Sequence, residues 1–263
     1  SFFGLRRLFA SNGYSAPSNM GSRFGPLVSD PRGIVDLPDK FSYSVMGRVG
    51  DFMTDGLRTP GAPDGMGTFA GKNGKTIIVR NHEVSPESSF TGAFGTEYEL
   101  MNLVDNSMLY DAGKGVRPAL GGTSTIVYDT KTRTVEKEFM SLLGTTRNCA
   151  GGVTPWQSWV TCEETVERAG EFAEHDHGYA FEVPATTEIK LHKAVPITEM
   201  GRFNHEAIAV EPRTGIVYLT EDRSDGLLYR YLPKKRAELY KGGKLQVLAV
   251  RGRPSADTRN WDE

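Results

Sequence analysis

The chain has 263 residues, 31 basic and 33 acidic side chains and a formal net charge of −2, with the signs interspersed. It therefore lacks the basic field that would make nucleic acid an obligate partner. No stretch approaches the roughly 18 consecutive apolar residues of a membrane helix, and the length suits one large domain or two small ones with a substantial core.

Residues 1–24 (SFFGLRRLFASNGYSAPSNMGSRF) read as a flexible arm, a short amphipathic opening followed by a spacer. Arg6-Arg7-Leu8-Phe9 has the R-R-x-F look of a twin-arginine export signal, but the polar run after it supplies no apolar region. From residue 25 a single β domain is expected to run to 263. Residues 25–38 are turn-punctuated coil. Phe41, Tyr43 and Val45 then alternate with polar residues, which predicts a half-buried strand.

Residues 49–74 are rich in Gly, Asp and Pro and predict a long ordered loop. A strand over 75–80 (KTIIVR) runs into Asn81-His82-Glu83, and 84–120 reads as an irregular surface insertion. Regularity then sets in. Strands are predicted over 122–129, 134–139, 159–163, 178–183, 189–195, 206–210, 216–220, 227–232 and 245–250, with helical turns at most over 167–172 and 234–240. The 30 glycines and 14 prolines, scattered rather than clustered, fit many short strands. Strands joined by D-x-x-T and E-P-x-T-G turns, repeating about every 40–50 residues, predict an all-β β-propeller with long loop insertions. A sandwich is the competing arrangement.

Acidic residues recur where strands meet loops: Glu83, Glu163-Glu164, Glu206 and Glu221-Asp222. In a propeller, equivalent strand ends converge on the axis, so these carboxylates would gather in one shell, a feasible site for several cations. A single such glutamate is ordinarily a solvated strand end or a salt-bridge partner. Side-chain alternation sends Glu163 and Glu164 to opposite faces unless the strand ends or bulges there. The stretch 146–165 adds Cys149, a Gly-Gly pair read as a turn, Trp156, Trp159 and Cys162. A thiol beside carboxylates suits a metal ion, although buried cysteines also serve as small hydrophobes. His82 and His205 lie in identical Asn-His-Glu triplets and are read as ligands or as groups orienting the next carboxylate. His175 and His177 lie on a polar loop, where exposure is expected. No G-x-S-x-G, P-loop or G-x-G-x-x-G follows a strand.

Arg80-Asn81-His82-Glu83, Arg147-Asn148-Cys149-Ala150-Gly151-Gly152-x-Thr154-Pro155-Trp156, Thr161-Cys162-Glu163-Glu164, Gly201-Arg202-Phe203-x-His205-Glu206-Ala207 and Tyr218-Leu219-Thr220-Glu221-Asp222 together resemble the PhoX-type alkaline phosphatases. The resemblance implies an exported β-propeller, periplasmic or extracellular, that hydrolyses small-molecule phosphate monoesters at an axial cluster of Fe(III) and Ca2+. It implies Cys149 as an iron ligand, with Glu83, Glu164 and Glu206 as the best-matched carboxylates and Glu163 and Asp222 beside them. Arg147 and Asn148 are the expected phosphate contacts, since a guanidinium matches phosphate geometry. Members are usually longer, and 251–261 reads as a continuing motif. A truncated or shortened chain with an incomplete ring is therefore expected, and a monomer. The alternatives are a Ca2+-dependent propeller hydrolase of lactonase or phosphotriesterase type, in which calcium alone suffices, and a non-catalytic propeller scaffold.

Overall fold

The computed structural model describes residues 24–88 and 91–258, so most of the 1–24 arm lies outside the described residues. The chain divides into two units, 1–46 and 47–263. In the first, β1 (Leu27–Val28) pairs with β2 (Leu37–Pro38). The Asp30 carboxylate organises the turn, accepting hydrogen bonds from the Arg32, Ile34 and Val35 amides and from the Tyr43 hydroxyl. The strand expected around Phe41–Val45 does not form; Tyr43 turns back to Asp30 instead of joining a ladder.

The second unit is three successive antiparallel meanders. The first is β3 (Pro63–Ala70), β4 (Lys75–His82), β5 (Gly121–Asp129) and β6 (Thr134–Thr145). The second is β7 (Asn148–Val153), β8 (Ser158–Glu163) and β9 (Ala180–Pro184). The third is β10 (His205–Val210), β11 (Val217–Glu221), β12 (Leu228–Pro233) and β13 (Gly243–Val247). The first strand of the middle sheet, β7, packs beside the first strands of both neighbours, β3 and β10. The fold is all-β, and its sheets do not close into a ring among the described residues.

The turns work as their sequences predict. At the β5–β6 turn, Asp129 Oδ1 accepts the Lys131 and Thr132 amides at 2.7 and 3.1 Å. After β10, Glu211 accepts the Arg213 and Thr214 amides at 3.2 and 2.8 Å. Each acid satisfies backbone donors that a tight turn would otherwise leave bare.

Four expectations fail for identifiable reasons. The loop over 49–74 contains β3, whose sequence PDGMGTFA hides its strand behind glycines. Those glycines are there because β3 lies close against β7 and β8. A Cβ at Gly67 would sit 2.7 Å from the Trp159 ring, and one at Gly65 would sit 2.8 Å from Ala150 Cα. The Gly151-Gly152 pair is not a turn but the middle of β7, beside a register shift between Asn148 and Gly151. The segment 84–120 is irregular yet not superficial: Ala93, Phe94, Leu109 and Ala112 form a core with Met53, Leu57, Met140 and Leu143. The segment 189–195 runs without a strand partner, tied by single bonds from the His192 amide to Ser141 O and from the Ala194 amide to Met108 O. No α-helix occurs among the described residues, and the turn expected over 234–240 survives only as a 3-10 turn at Leu239–Lys241.

Antiparallel order fixes where chemistry collects. The starts of β3, β7 and β10 and the ends of β4, β8 and β11 lie at one end of their respective sheets. Asp64, Glu83, Cys149, Glu164, Glu206 and Asp222 sit at or just beyond those strand ends.

Candidate metal centre

Cys149, Glu164 and Glu206 converge. A sulfur and two carboxylate oxygens, one from each residue, all lie within 4.8 Å of one another. Cys149 is the second residue of β7, Glu164 follows the last residue of β8, and Glu206 is the second residue of β10. Residues 57 positions apart in sequence thus meet because two meanders present equivalent ends. The Cys149 thiol is buried and points at backbone carbonyls, 3.3 Å from His205 O and 3.7 Å from both Cys162 O and Glu206 O. Burial, then the charges expected at Cys162 and Glu206, push this thiol well above the ordinary range. A cation beside it would reverse that balance, as metals do for coordinating thiols.

Glu83 borders the cluster through Arg147. The Arg147 guanidinium is 2.6 Å from Glu164 Oε2 and 3.1 Å from Glu83 Oε1. Burial, a hydrogen bond shared with Asp64 and the charge of Glu164 push Glu83 up to about 7 against the pull of Arg147. Burial also raises Glu206, with the charges of Glu164, Asp222 and Asp64 adding to it. Several carboxylates thus repel one another around a single guanidinium. A mixed sulfur and oxygen donor set with excess negative charge is what a multivalent cation needs, so the residues fit a metal.

Asp222 lies just past β11, its amide bonded to Asn204 O at 3.1 Å and its charge felt by Glu206. Asp64 had no place in the sequence reading. The Glu83 amide bonds Ala62 O at 2.8 Å and Pro63 pairs with His82, so Asp64 is set beside Glu83. The strand-end rule would have found it had β3 been recognised.

Two expected site residues are used elsewhere. Glu163 does not join the cluster. Alternation along β8 turns its carboxylate into the protein, where it accepts the Thr146, Gly178 and Tyr179 amides at 3.0, 2.8 and 3.2 Å and faces His177 Nδ1 at 2.7 Å. Asn148 is fully buried, its amide held between Thr145 Oγ1 at 2.6 Å and Thr161 Oγ1 at 3.0 Å. That engagement occupies both ends of its side-chain amide.

The histidines also depart from expectation. His82 faces Gly61 O and Ser124 Oγ, while His205 faces Gly201 O and stacks on Phe203 with ring centroids 3.7 Å apart. Burial drops their pKa values to about 3 and about 4, so both are neutral core groups and neither orients the adjoining glutamate. Asn81 of the first triplet is a tie between sheets: it donates to Cys149 O and Ala150 O at 3.1 and 2.7 Å and accepts from Trp159 Nε1 at 2.9 Å. His175 is exposed as expected, but His177 is buried between Asp111 and Glu163.

The sequence profile of the family described as Alkaline phosphatase PhoX matches residues 22–262. No curated protein matches the chain. Among solved structures, the chain is similar to Pseudomonas fluorescens PhoX in complex with vanadate, a transition state analogue, at 17% identity and a TM-score of 0.45. That similarity covers 71% of this chain and 45% of the other, so the chain spans less than half the length of that protein. The family profile runs through the Cys149 block and every strand end that carries the cluster, and the chain belongs to the PhoX alkaline phosphatase family.

Proposed function

We propose that this chain carries the metal-binding and phosphate-binding part of an exported phosphatase that hydrolyses small-molecule phosphate monoesters, on a fold whose three meanders are blades of a β-propeller. The observation that carries the reading is the convergence of Cys149, Glu164 and Glu206 from two neighbouring sheets. In this reading Cys149, Glu164 and Glu206 hold Fe(III), while Glu83, Asp64 and Asp222 supply oxygen donors for Ca2+, which favours carboxylates. Bound there, such ions polarise a phosphate oxygen and acidify a water.

The chain's own contribution is charge and position. Arg147 keeps two carboxylates apart and oriented, and its side chain is 42% exposed, enough to present donors to a phosphate. The thiol beside the carboxylates favours this reading over a calcium-only hydrolase, because Ca2+ takes oxygen ligands and has no use for sulfur. The test is elemental analysis of purified protein together with turnover of p-nitrophenyl phosphate at alkaline pH. Iron with calcium, lost together with activity in Cys149→Ser, is the expected result. Calcium alone, with full activity retained in Cys149→Ser, would sink the proposal.

A further inference from the structure

We propose that Glu163, with His177 and Asp111 behind it, is a positioning group that acts through Arg147, holding the 145–146 peptide just ahead of it so that the guanidinium spans Glu83 and Glu164. The inference rests on the phosphatase reading above and adds residues to it.

Arg147 has φ +47, a left-handed conformation that residues with a side chain seldom adopt. Such conformations persist only where the surroundings over-determine them. Three bonds do so here. The Arg147 amide donates to Val84 O at 3.2 Å, the Glu164 amide donates to Arg147 O at 2.9 Å, and the preceding Thr146 amide donates to Glu163 Oε1 at 3.0 Å. Glu163 supplies the one anchor of the three that comes from a side chain.

That anchor is itself fixed from behind. Glu163 is fully buried and accepts from 146, 178 and 179. His177 Nδ1 lies 2.7 Å from Glu163 and its Nε2 lies 3.2 Å from Asp111 Oδ2. Asp111 in turn accepts the Gly113, Glu174 and His175 amides at 2.7, 2.8 and 3.2 Å. The result is a continuous path of hydrogen bonds from the 111–113 and 174–179 segments through His177 and Glu163 to the 145–146 peptide that precedes Arg147. If the path served stability alone, its loss would lower the melting temperature and leave phosphate handling intact. If it acts through Arg147, its loss shows in phosphate handling and vanishes once Arg147 is gone.

A double-mutant cycle on the metal-loaded protein separates the two. Glu163→Gln, Arg147→Ala and the double variant are compared in kcat and KM for p-nitrophenyl phosphate and in Kd for inorganic phosphate, below the unfolding temperature of every variant. Glu163→Gln should lower kcat/KM and phosphate affinity about tenfold with bound metal unchanged. It should add less than about twofold on top of Arg147→Ala. Independent, multiplicative losses overturn the inference. Asp111→Asn leaves Glu163 in place, guards against a Glu163→Gln chain that does not fold, and should show the same coupling. Hydrogen exchange of the 144–149 segment in chelator-treated protein needs no turnover. It should accelerate in both variants, and unchanged protection overturns the inference. A wild type that neither binds phosphate nor hydrolyses the ester brings down the phosphatase reading and this inference together. Multiplicative losses in an active wild type bring down the inference alone.

Discussion

Arg147 reaches Glu83 and Glu164 from a backbone conformation that costs about 1–3 kcal/mol for a residue with a side chain. Arg147→Ala would relieve nothing unless the conformation changed, and it would leave two half-buried carboxylates without their counter-charge. On the phosphatase reading this variant should lose roughly a hundredfold in kcat/KM, the scale of removing one donor aimed at developing charge. Arg147→Lys should recover little of it, since a point charge cannot bridge two acids and a phosphate as a fork does. Steady-state kinetics check both. His177 offers a pH test. Burial works against its charge, but the hydrogen bonds it donates to Asp111 and Glu163 outweigh it and raise its pKa to about 9 from an unfolded value near 6.5. A raised folded pKa means the charged histidine stabilises the fold fully below about pH 6.5, and that contribution is lost as pH rises through 9. The stability gap between wild type and His177→Gln in urea titrations should therefore be widest below pH 6.5 and narrow towards pH 9. A gap that does not change with pH would show that folding leaves the His177 pKa at its unfolded value, and one that shrinks below pH 6.5 would show that His177 is neutral in the folded state. His177 was misjudged from sequence because its neighbours Glu174, His175 and Asp176 are polar. Its partners Asp111 and Glu163 are remote in the chain, and local polarity carries no record of them.

Strands were most legible where alternation or an apolar run was intact. β4, β5, β8, β11 and β12 lie close to their expected bounds. They were least legible where packing between sheets overrode propensity. β3 and β7 carry glycines because the backbones of neighbouring sheets come close, and glycine reads in sequence as loop. Gly152 is the clearest case, since a Cβ there would run into the Ile208 carbonyl of β10. Gly152→Ala should therefore separate β7 from β10 and cost about 1–3 kcal/mol, as overpacking does. Gly115→Ala, where a Cβ meets nothing within 4 Å, is a control limited to its own left-handed φ of +73. The opposite error, a strand read into 189–195, arose because alternation there is real but no neighbouring strand offers a ladder. Asn81 is a second tie at this scale. Asn81→Leu would remove the hydrogen bonds to the Cys149 and Ala150 carbonyls and from the Trp159 indole, a loss of about 2–4 kcal/mol by the cost of lost buried hydrogen bonds. Thermal melts of the two variants would show whether backbone approach or side-chain ties dominate between the sheets.

At the scale of the molecule, the cluster is a consequence of topology more than of any local motif. Antiparallel meanders bring every first strand's start and every second strand's end to one end of the sheet, so acids spaced by whole meanders in sequence meet in space. This is why the strand-end glutamates could be read from sequence while the division between Glu163 and Glu164 could not be settled until the course of β8 was known. The same topology makes a bound cation a cross-link. Cys149 and Glu164 belong to the middle sheet and Glu206 to the next, and β7 and β10 touch along their lengths. An ion held by all three joins two sheets that otherwise meet through close backbone approach and packing, and it binds the folded chain far better than the unfolded one. At free metal a thousand times its dissociation constant, linkage adds about 4 kcal/mol of stability. Chelation should therefore lower the melting temperature of the wild type by several degrees. Cys149→Ser and Glu206→Gln should each melt near the chelated wild type and respond weakly to further chelator. Glu163→Gln, outside the cluster, should melt lower than wild type yet keep the full response to chelation. If Glu163→Gln instead lost that response while Glu206→Gln kept it, the assignment of the two glutamates would be reversed, and the metal would sit on the other face of β8.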